Sequence, residues 1–386
     1  MFQIADPKDI LEGRITDVYF ERALSTLKAK KINPVVKAEF MAKSFPKEWP
    51  WALFTGVDEA MDLMKRLKIT VRAMQEGSVF YPYEPVMEIE GKYQDFCVYE
   101  TALLGLICQA SGISTQAARM KKLAEDRLVM SFGARRMHPI LAPMIERNAF
   151  VGGCDGVSVV KSGEVIGEDP MGTMPHSLIL CMGSTVEAIK AYDEALDPRL
   201  KRVVLIDTFQ DEKFEVLNVA MALGEKLYAV RFDTPESRRG DFYRILEEAR
   251  WELDLRGLGH VNFFVSGGIT EKDIPVLNPV AHGYGIGTSI SNAPVIDFAM
   301  DIVEINGKPL AKRGKWSGSK SVLVCGQCGL RKIAPRNRGK ERSCSCGGIF
   351  KDILVPVIEN GQQLVDQEPP ARIREGVLWQ VRGLKV

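Results

Sequence analysis

The sequence predicts an α/β protein built around a small or incomplete (β/α) barrel. Between residues 112 and 300, short apolar runs alternate with helical stretches, a pattern typical of parallel βα units. About seven such repeats are present, fewer than the eight of a closed barrel. Polar residues follow most of the apolar runs, where the rim of a barrel would lie. A doubly wound parallel sheet remains the alternative.

The composition is that of a globular chain without an overall charge bias. Of 386 residues, 46% are hydrophobic and 26% are charged, which excludes a wholly disordered chain. The 51 Lys and Arg residues balance 50 Asp and Glu residues, which excludes a globally basic nucleic-acid coat and an acidic tail protein. No run approaches the roughly 18 apolar residues of a spanning helix, and the start does not resemble a signal peptide. We therefore expect a soluble cytoplasmic protein without a membrane partner.

Three domains are expected from the length and the changes in sequence texture. Residues 1–111 predict an α+β sandwich, with a helix at 17–27, strands within 76–90 and a helix at 97–110 that stops near Ser111-Gly112. Residues 112–300 form the predicted catalytic barrel. Residues 301–386 predict a C-terminal domain with a zinc-knuckle-like motif of four cysteines.

The barrel region alternates regularly between strands and helices. Strands are predicted at 127–132, 156–160, 177–182, 202–206, 228–232, 261–265 and 282–289, with helices at 184–195, 211–223 and 241–255. Because βα loops open on one face of a barrel, the polar residues that follow the strands should share one mouth. These residues are Arg135, Asp155, Asp207, Arg231, Asp233, Gly267 and Gly268. For each acid considered on its own, capping of the following helix is the alternative role.

Two glycine-rich loops predict a phosphate site. Ser266-Gly267-Gly268 and the later run with Gly285, Gly287 and Thr288 follow the last two predicted strands. Glycine lets backbone N–H groups approach an anion closely, and the last βα loops of barrels commonly bind phosphate in this way. Arg135 and Arg136 add two guanidinium groups for an anion. Plain tight turns and surface salt bridges are the alternatives.

Four cysteines have the spacing of metal ligands. Cys325-x2-Cys328 and Cys344-x-Cys346 are separated by fifteen residues. Four thiolates favour zinc and fill its shell, so the predicted site is structural; four unmetallated thiols are the alternative. The first two cysteines lie in a segment, 307–342, with eleven Lys and Arg residues and one Glu, and the other two follow it directly. This basic segment has two interpretations, a nucleic-acid-binding surface or a charged face exposed to solvent. We do not expect a nucleic-acid partner.

The motifs together resemble a known family. They are Thr16-Asp17-Val18-Tyr19, Ser131-Phe132-Gly133-Ala134-Arg135-Arg136, Gly172-Thr173-Met174-Pro175-His176-Ser177, Arg231-Phe232-Asp233-Thr234 and the two glycine loops. In this order they resemble nicotinate phosphoribosyltransferases, of the type II phosphoribosyltransferase class. The resemblance covers roughly residues 10–300, and the cysteine-bearing remainder resembles the short prokaryotic form. Ser131 departs from the pattern, since relatives often carry an acid there.

The resemblance implies an activity and a set of roles. Nicotinate would react with phosphoribosyl pyrophosphate and Mg²⁺ to give nicotinate mononucleotide and pyrophosphate, coupled to ATP hydrolysis. By resemblance His176 is the residue that ATP phosphorylates, although a lone histidine is more often structural. By the same resemblance, Tyr19 and Phe132 contact the pyridine ring, and Tyr19 does so in the site of a partner subunit. Arg231 and Thr173 bind the carboxylate. The phosphates are bound by Arg135, Arg136, Thr288 and the glycines, and the ribose, the magnesium or the ring is positioned by Asp155, Asp207 and Asp233.

Other activities remain open at this level. The resemblance extends to quinolinate and nicotinamide enzymes, but quinolinate would call for extra cations and has no use for a phosphorylated histidine. A zinc-knuckle nucleic-acid-binding protein on a degenerate barrel is the alternative outside the enzymes. A role for Tyr19 across an interface implies a homodimer, and a hexamer is compatible with it.

Overall fold

The computed structural model describes residues 2–336 and 343–386, and these divide into two compact units. One unit contains the chain up to Gly112 together with Pro294–Lys385, and the other contains Ile113–Ala293. The predicted boundary near residue 112 lies close to this division. The separate domain predicted for 301–386 is wrong, because that region completes the first unit.

The first part of the chain forms helices and antiparallel strands. They are α1 (Pro7–Leu11), α2 (Val18–Ala29), β1 (Val35–Ala42), β2 (Ala52–Phe54), α3 (Val57–Met64), β3 (Ile69–Ala73), β4 (Ser78–Phe80), β5 (Pro85–Lys92), α4 (Tyr93–Phe96) and α5 (Glu100–Ala124). The helix predicted at 17–27 is confirmed as α2, and the strands predicted within 76–90 are confirmed as β4 and β5.

Helix α5 does not stop where the sequence predicted. It continues through Ser111 and Gly112 to Ala124. A Cβ on Gly112 would lie 2.2 Å from the carbonyl oxygen of Pro294, so this glycine permits a close backbone approach rather than ending the helix. Glycine inside a helix costs only about 1 kcal/mol relative to alanine, which the packing of α5 can offset.

The helical stretch Tyr93–Ala124 is also long and apolar enough to cross a membrane by length and composition. Leu103 and Ile107 are buried in one hydrophobic core, and Ala117 and Met120 in another. Core helices of soluble proteins pass the same test, and these side chains already have protein partners.

The second unit is a parallel βα array. Its elements are β6 (Leu128–Ser131), α6 (Ala142–Val151), β7 (Gly156–Val157), α7 (Val160–Ile166), α8 (His176–Met182), α9 (Thr185–Ala195), β8 (Arg202–Leu205), α10 (Glu212–Leu223), β9 (Leu227–Phe232), α11 (Glu236–Arg239), α12 (Phe242–Asp254), β10 (Asn262–Val265), α13 (Asp273–Leu277), β11 (Gly283–Ile286) and α14 (Thr288–Ser291). Within the described residues, six parallel strands pair in the order β7-β6-β11-β10-β9-β8.

This sheet is an incomplete barrel, as predicted. Its edge strands β7 and β8 are not paired with each other. An irregular segment lies between them: the N–H of Met171 donates to Val157 (2.7 Å) and the N–H of Met174 donates to Val203 (3.5 Å). Leu205, Val230, Val265 and Ile286 belong to the hydrophobic core that supports the strands.

The strand predicted at 177–182 is a helix. His176 is the first residue of α8, and Gly183 ends this helix in the left-handed region with φ 78°. A short apolar run cannot be distinguished from a buried helix by periodicity alone, which explains the error. His176 therefore lies at a helix start, on the segment that bridges β7 and β8.

The last part of the chain returns to the first unit. It contributes β12 (Phe298–Ile305), β13 (Lys308–Pro309), β14 (Lys320–Cys325), β15 (Arg331–Pro335), β16 (Phe350–Asp352), β17 (Val355–Glu359), β18 (Gln362–Gln363) and α15 (Pro370–Val381). In the described residues the strands form an antiparallel sheet β13-β12-β1-β5-β3-β17-β18, a small sheet β15-β14-β16 and the pair β2-β4. Positions 337–342 of the predicted basic segment lie outside the described residues.

Candidate active site

A cavity of about 600 Å³ lies at the carboxyl ends of the parallel strands, where the sequence predicted a mouth. Its lining residues come from the ends of β8, β9 and β11, from the loops after β6, β7, β9, β10 and β11, and from the segment that leads into α8, with the first residues of α8 and α14. Those named by the sequence analysis are Phe132, Arg135, Arg136, Thr173, His176, Arg231, Asp233, Gly267, Gly268, Gly285, Gly287 and Thr288.

Arg231, near the end of β9, is held on three sides. Its Nε donates to Ser266 Oγ (2.8 Å), its Nη1 donates to Thr173 Oγ1 (2.8 Å), and its Nη2 lies 3.2 Å from Asp233 Oδ1. The guanidinium carbon is 5.0 Å from the centroid of the Phe132 ring, within the range of a cation–π contact. The result is an oriented cation beside an aromatic face.

His176 is surrounded by polar groups from the loops that follow β8 and β9. Its Nδ1 is 2.9 Å from Thr208 Oγ1, and its Nε2 is 3.6 Å from Asp233 Oδ2 and 3.9 Å from Asp207 Oδ1. The side chain is 39% exposed, so it is accessible from the cavity. An imidazole with carboxylates at one nitrogen and a hydroxyl at the other is oriented for proton or phosphoryl transfer.

Asp207 is the most enclosed acid of this group. Burial raises the pKa of its carboxyl group, with His176 opposing that shift and Asp233 adding to it. Its Oδ1 has no hydrogen-bond partner in the described residues. A buried oxygen without a partner is costly, so a ligand cation or hydroxyl group would stabilise it.

The glycine loop after β10 provides free backbone donors. Gly267 and Gly268 both have positive φ (86° and 84°), a conformation that favours glycine. The N–H groups of Gly267, Gly268 and Ile269 donate to no other described residue. Consecutive N–H groups around a cavity form an anion-binding nest.

Arg135 and Arg136 lie on a short 3-10 turn, Ala134–Arg136, at the edge of the cavity. Both are exposed, and no carboxylate of the described residues lies within ion-pair distance of either side chain. Two cations that lack a carboxylate partner among the described residues, at the edge of the same cavity, are suited to a polyanionic ligand.

Two predicted residues lie elsewhere. Asp155 does not line the cavity: its Oδ2 accepts from Lys121 Nζ and from the N–H of Val129, both at 2.8 Å. The structure therefore does not bring it to the cavity with the other predicted residues, because the carboxylate holds α5 to β6. Tyr19 lies in the other unit, on α2, with 58% of the residue exposed.

The sequence analysis missed Thr208 and Ser266 as site residues. Each follows a predicted strand next to a residue that was selected, Asp207 or Gly267, so the position was visible. Their roles were not, since a hydroxyl group acquires its partner only through the fold. Thr208 Oγ1 lies 2.9 Å from His176 Nδ1, while Ser266 Oγ accepts from Arg231 Nε (2.8 Å) and donates to Asp233 Oδ1 (2.5 Å).

In the first unit, the four predicted cysteines form one cluster. All four Sγ atoms lie within 4.8 Å of one another, with Cys325 to Cys346 at 3.5 Å and Cys328 to Cys344 at 3.7 Å. Backbone N–H groups of Cys328 and Gln327 lower the pKa of Cys325 to about 6. Sulfur atoms at these separations fit a tetrahedral ion with bonds of about 2.3 Å.

Comparisons with known proteins agree with this architecture. Residues 17–111 match the family model of the quinolinate phosphoribosyl transferase N-terminal domain, and residues 113–301 match that of the C-terminal domain. The crystal structure of nicotinate-nucleotide pyrophosphorylase from Pyrococcus furiosus is 48% identical and has a TM-score of 0.98, covering 100% of this chain and 99% of that chain.

Other relatives are named as nicotinate or nicotinic acid phosphoribosyltransferases. Nicotinate phosphoribosyltransferase pncB2 of Mycobacterium tuberculosis is 28% identical over 332 residues, covering 81% of this chain and 68% of that protein. Human nicotinic acid phosphoribosyltransferase shares the fold, with a TM-score of 0.77 at 19% identity over 95% of this chain and 93% of that chain.

A parallel half-barrel with an anion nest and an oriented arginine at its rim defines a type II phosphoribosyltransferase. The chain belongs to the quinolinate phosphoribosyl transferase family.

Proposed function

We propose that this protein is a nicotinate phosphoribosyltransferase of NAD biosynthesis. The pyridine nitrogen of nicotinate attacks the anomeric carbon of phosphoribosyl pyrophosphate, the bond from that carbon to pyrophosphate breaks, and nicotinate mononucleotide forms. The observation that carries the proposal is the Arg231 guanidinium, fixed by Ser266 and Thr173 beside the Phe132 ring. The names of the M. tuberculosis relatives support the same activity.

The ring site is suited to one carboxylate. A guanidinium binds a carboxylate through paired charge-assisted hydrogen bonds, and Phe132 offers a face on which a pyridine ring can stack. Pyridine nitrogen is already a nucleophile, so the reaction needs orientation more than a general base. Arg231 would bind the nicotinate carboxylate and Phe132 one face of the ring.

Phosphoribosyl pyrophosphate would occupy the rest of the cavity. The nest at Gly267–Ile269 and the Thr288 hydroxyl suit its 5′-phosphate, while Arg135 and Arg136 suit the pyrophosphate. These donors stabilise the departing negative charge as the sugar becomes oxocarbenium-like. Mg²⁺ that accompanies the substrate would neutralise part of the pyrophosphate charge, and Asp207 and Asp233 are the nearby carboxylates that could contact it.

ATP would act through His176. A ring nitrogen attacks the γ-phosphorus, the bond to ADP breaks, and hydrolysis of the phosphohistidine later releases phosphate. Asp207 and Asp233 beside Nε2 would stabilise the imidazolium form, and Thr208 would orient the ring. A quinolinate-type reaction needs no such residue.

The test is product formation by the purified chain with nicotinate, phosphoribosyl pyrophosphate and Mg²⁺. We expect nicotinate mononucleotide and pyrophosphate in equal amounts, formed faster when ATP is added and cleaved. Absence of mononucleotide with and without ATP would rule out the proposed transferase.

A methyl group on Gly285 should block the ring site. Its Cβ would lie 2.4 Å from the Phe132 ring, so Phe132 must move in Gly285→Ala. Because overpacking costs about 1–3 kcal/mol, we expect the KM for nicotinate to rise about tenfold. Steady-state kinetics would measure this change. Gly172→Ala is the matched control, since its Cβ would meet no atom within 4 Å. Equal effects of the two changes would contradict the ring assignment.

The four cysteines would hold structural Zn²⁺. Zinc there would link the turn after β14 to the residues before β16, and it would leave no open ligand position for chemistry. This small sheet is joined to the rest of its unit by ion pairs: Arg72 with Asp352 at 2.7 Å, Lys320 with Glu39 at 2.7 Å and Arg331 with Glu84 at 2.7 Å.

Loss of zinc should therefore destabilise the first unit. We expect one zinc per chain by elemental analysis, and near-complete loss of zinc in Cys328→Ser with a melting temperature several degrees lower. Cys181→Ser, at an exposed cysteine outside the cluster, is the control. Full stability of Cys328→Ser after loss of the metal would contradict a structural role.

Assembly and location follow from the same proposal. An exposed Tyr19 is available to a second copy of the chain, so we propose a homo-oligomer, at least a dimer. The substrates are small soluble metabolites, and we propose a soluble cytoplasmic enzyme.

A further inference from the structure

Arg239, at the end of α11, is a buried cation that the roles assigned so far do not use. Only 9% of the residue is exposed. No carboxylate of the described residues forms an ion pair with it. Its recorded contacts are a hydrogen bond from Nη1 to the carbonyl oxygen of Gly267 (3.0 Å) and the ring of Phe242, 4.7 Å from the guanidinium carbon. A buried charge without an opposite charge is unfavourable unless something else compensates it.

The bond to Gly267 fixes a particular peptide group. The carbonyl of Gly267 and the N–H of Gly268 belong to one peptide, and in a trans peptide they point in opposite directions. Gly267 and Gly268 both line the cavity, whereas Arg239 does not. An arginine that holds the carbonyl from behind therefore turns the Gly268 N–H towards the cavity.

Among the described residues, the Gly267 carbonyl and the Gly268 N–H make no other hydrogen bond. Both glycines adopt positive φ, and a peptide between two such glycines can rotate at low cost. On its far side, the ideal Cβ position of Gly267 lies 2.9 Å from the carbonyl oxygen of Asp233, which limits movement towards β9. The hydrogen bond from Arg239 constrains the carbonyl end of the peptide directly.

We propose that Arg239 is a positioning residue for the 5′-phosphate of the phosphoribosyl substrate. It fixes the Gly267–Gly268 peptide with the N–H towards the phosphate, and it places a buried positive charge behind that peptide. The phosphate in turn supplies the negative charge that Arg239 lacks among the described residues. This inference rests on the proposed function, and it extends the phosphate site to a residue that does not touch the ligand.

The experiment separates the two anionic ends of the substrate. Ribose 5-phosphate and pyrophosphate are titrated separately into wild type, Arg239→Met, Arg239→Lys and Arg238→Met by calorimetry. Arg238 is the adjacent, exposed arginine and serves as the matched control. We expect Arg239→Met to weaken ribose 5-phosphate about tenfold and to leave pyrophosphate unchanged, because pyrophosphate binds at Arg135 and Arg136. Arg239→Lys should give a smaller loss, since it keeps the charge without the planar fork.

Each other result has a defined meaning. Unchanged binding of ribose 5-phosphate in Arg239→Met would overturn the inference, as would an equal loss for both anions. Should Arg239→Met not fold, Arg239→Lys carries the test, and its selective loss of ribose 5-phosphate affinity is the required result. Wild type that binds no ribose 5-phosphate would instead refute the phosphate site of the proposed function.

Discussion

Replacement of Arg231 by Gln should lower kcat/KM for nicotinate by about 100-fold. A hydrogen bond to a charged group contributes about 1.5–3 kcal/mol, and 1.4 kcal/mol corresponds to a factor of ten. The variant also releases Asp233 and Ser266, which now hold the guanidinium at 3.2 Å and 2.8 Å. Initial rates at varied nicotinate would measure the loss.

The selectivity of the Arg231 variant is the decisive comparison. Nicotinamide has no carboxylate, so its slow turnover should fall much less than that of nicotinate. Arg256→Gln, which removes an arginine paired with Glu252 of the outer helix α12, controls for a general loss of charge. A parallel loss for both rings in Arg231→Gln would contradict a carboxylate-binding role.

Replacement of His176 by Ala should abolish the response to ATP. His176 is the one histidine among the described residues lining the cavity, and two carboxylates lie within 4 Å of its Nε2. We expect the wild type to acquire up to about one acid-labile phosphoryl group per chain from γ-labelled ATP. The variant should acquire none, and its rate with ATP should equal its rate without ATP.

His260→Ala is the matched control for this prediction. His260 is exposed, and its Nε2 lies 3.4 Å from the carbonyl oxygen of Gly224, away from the cavity. It should keep both labelling and stimulation. Phosphoryl transfer to the His176 variant, or continued stimulation by ATP, would contradict the phosphohistidine.

The sequence predicted the barrel strands better than the unit boundaries. Runs such as 202–206 and 228–232 carry a local signal, because buried parallel strands are continuously apolar and end in polar residues. The pairing of β12 with β1 joins positions such as Ile305 and Val36. Such long-range pairing leaves no local mark, so residues 301–386 were mistaken for a separate domain.

The site residues likewise divide into those that the local sequence indicates and those that only the folded chain brings together. Arg231, His176 and the glycines could be selected because residue type and neighbouring motif agree. Asp155 fits the same pattern, but Lys121 and the N–H of Val129 occupy its carboxylate. The contacts of Thr208 with His176 and of Arg239 with Gly267 join residues 32 and 28 positions apart along the chain. Contacts of that kind become visible only in the folded structure.

Competition among three rings tests the central claim most directly. The purified chain would receive equal concentrations of nicotinate, nicotinamide and quinolinate with limiting phosphoribosyl pyrophosphate, Mg²⁺ and ATP, and the mononucleotides and carbon dioxide would be quantified. A different isotopic label on each of the three rings would identify the substrate from which each mononucleotide formed. The proposed site predicts nicotinate mononucleotide derived from nicotinate, without carbon dioxide. Nicotinate mononucleotide derived from quinolinate, with an equal amount of carbon dioxide, would contradict it.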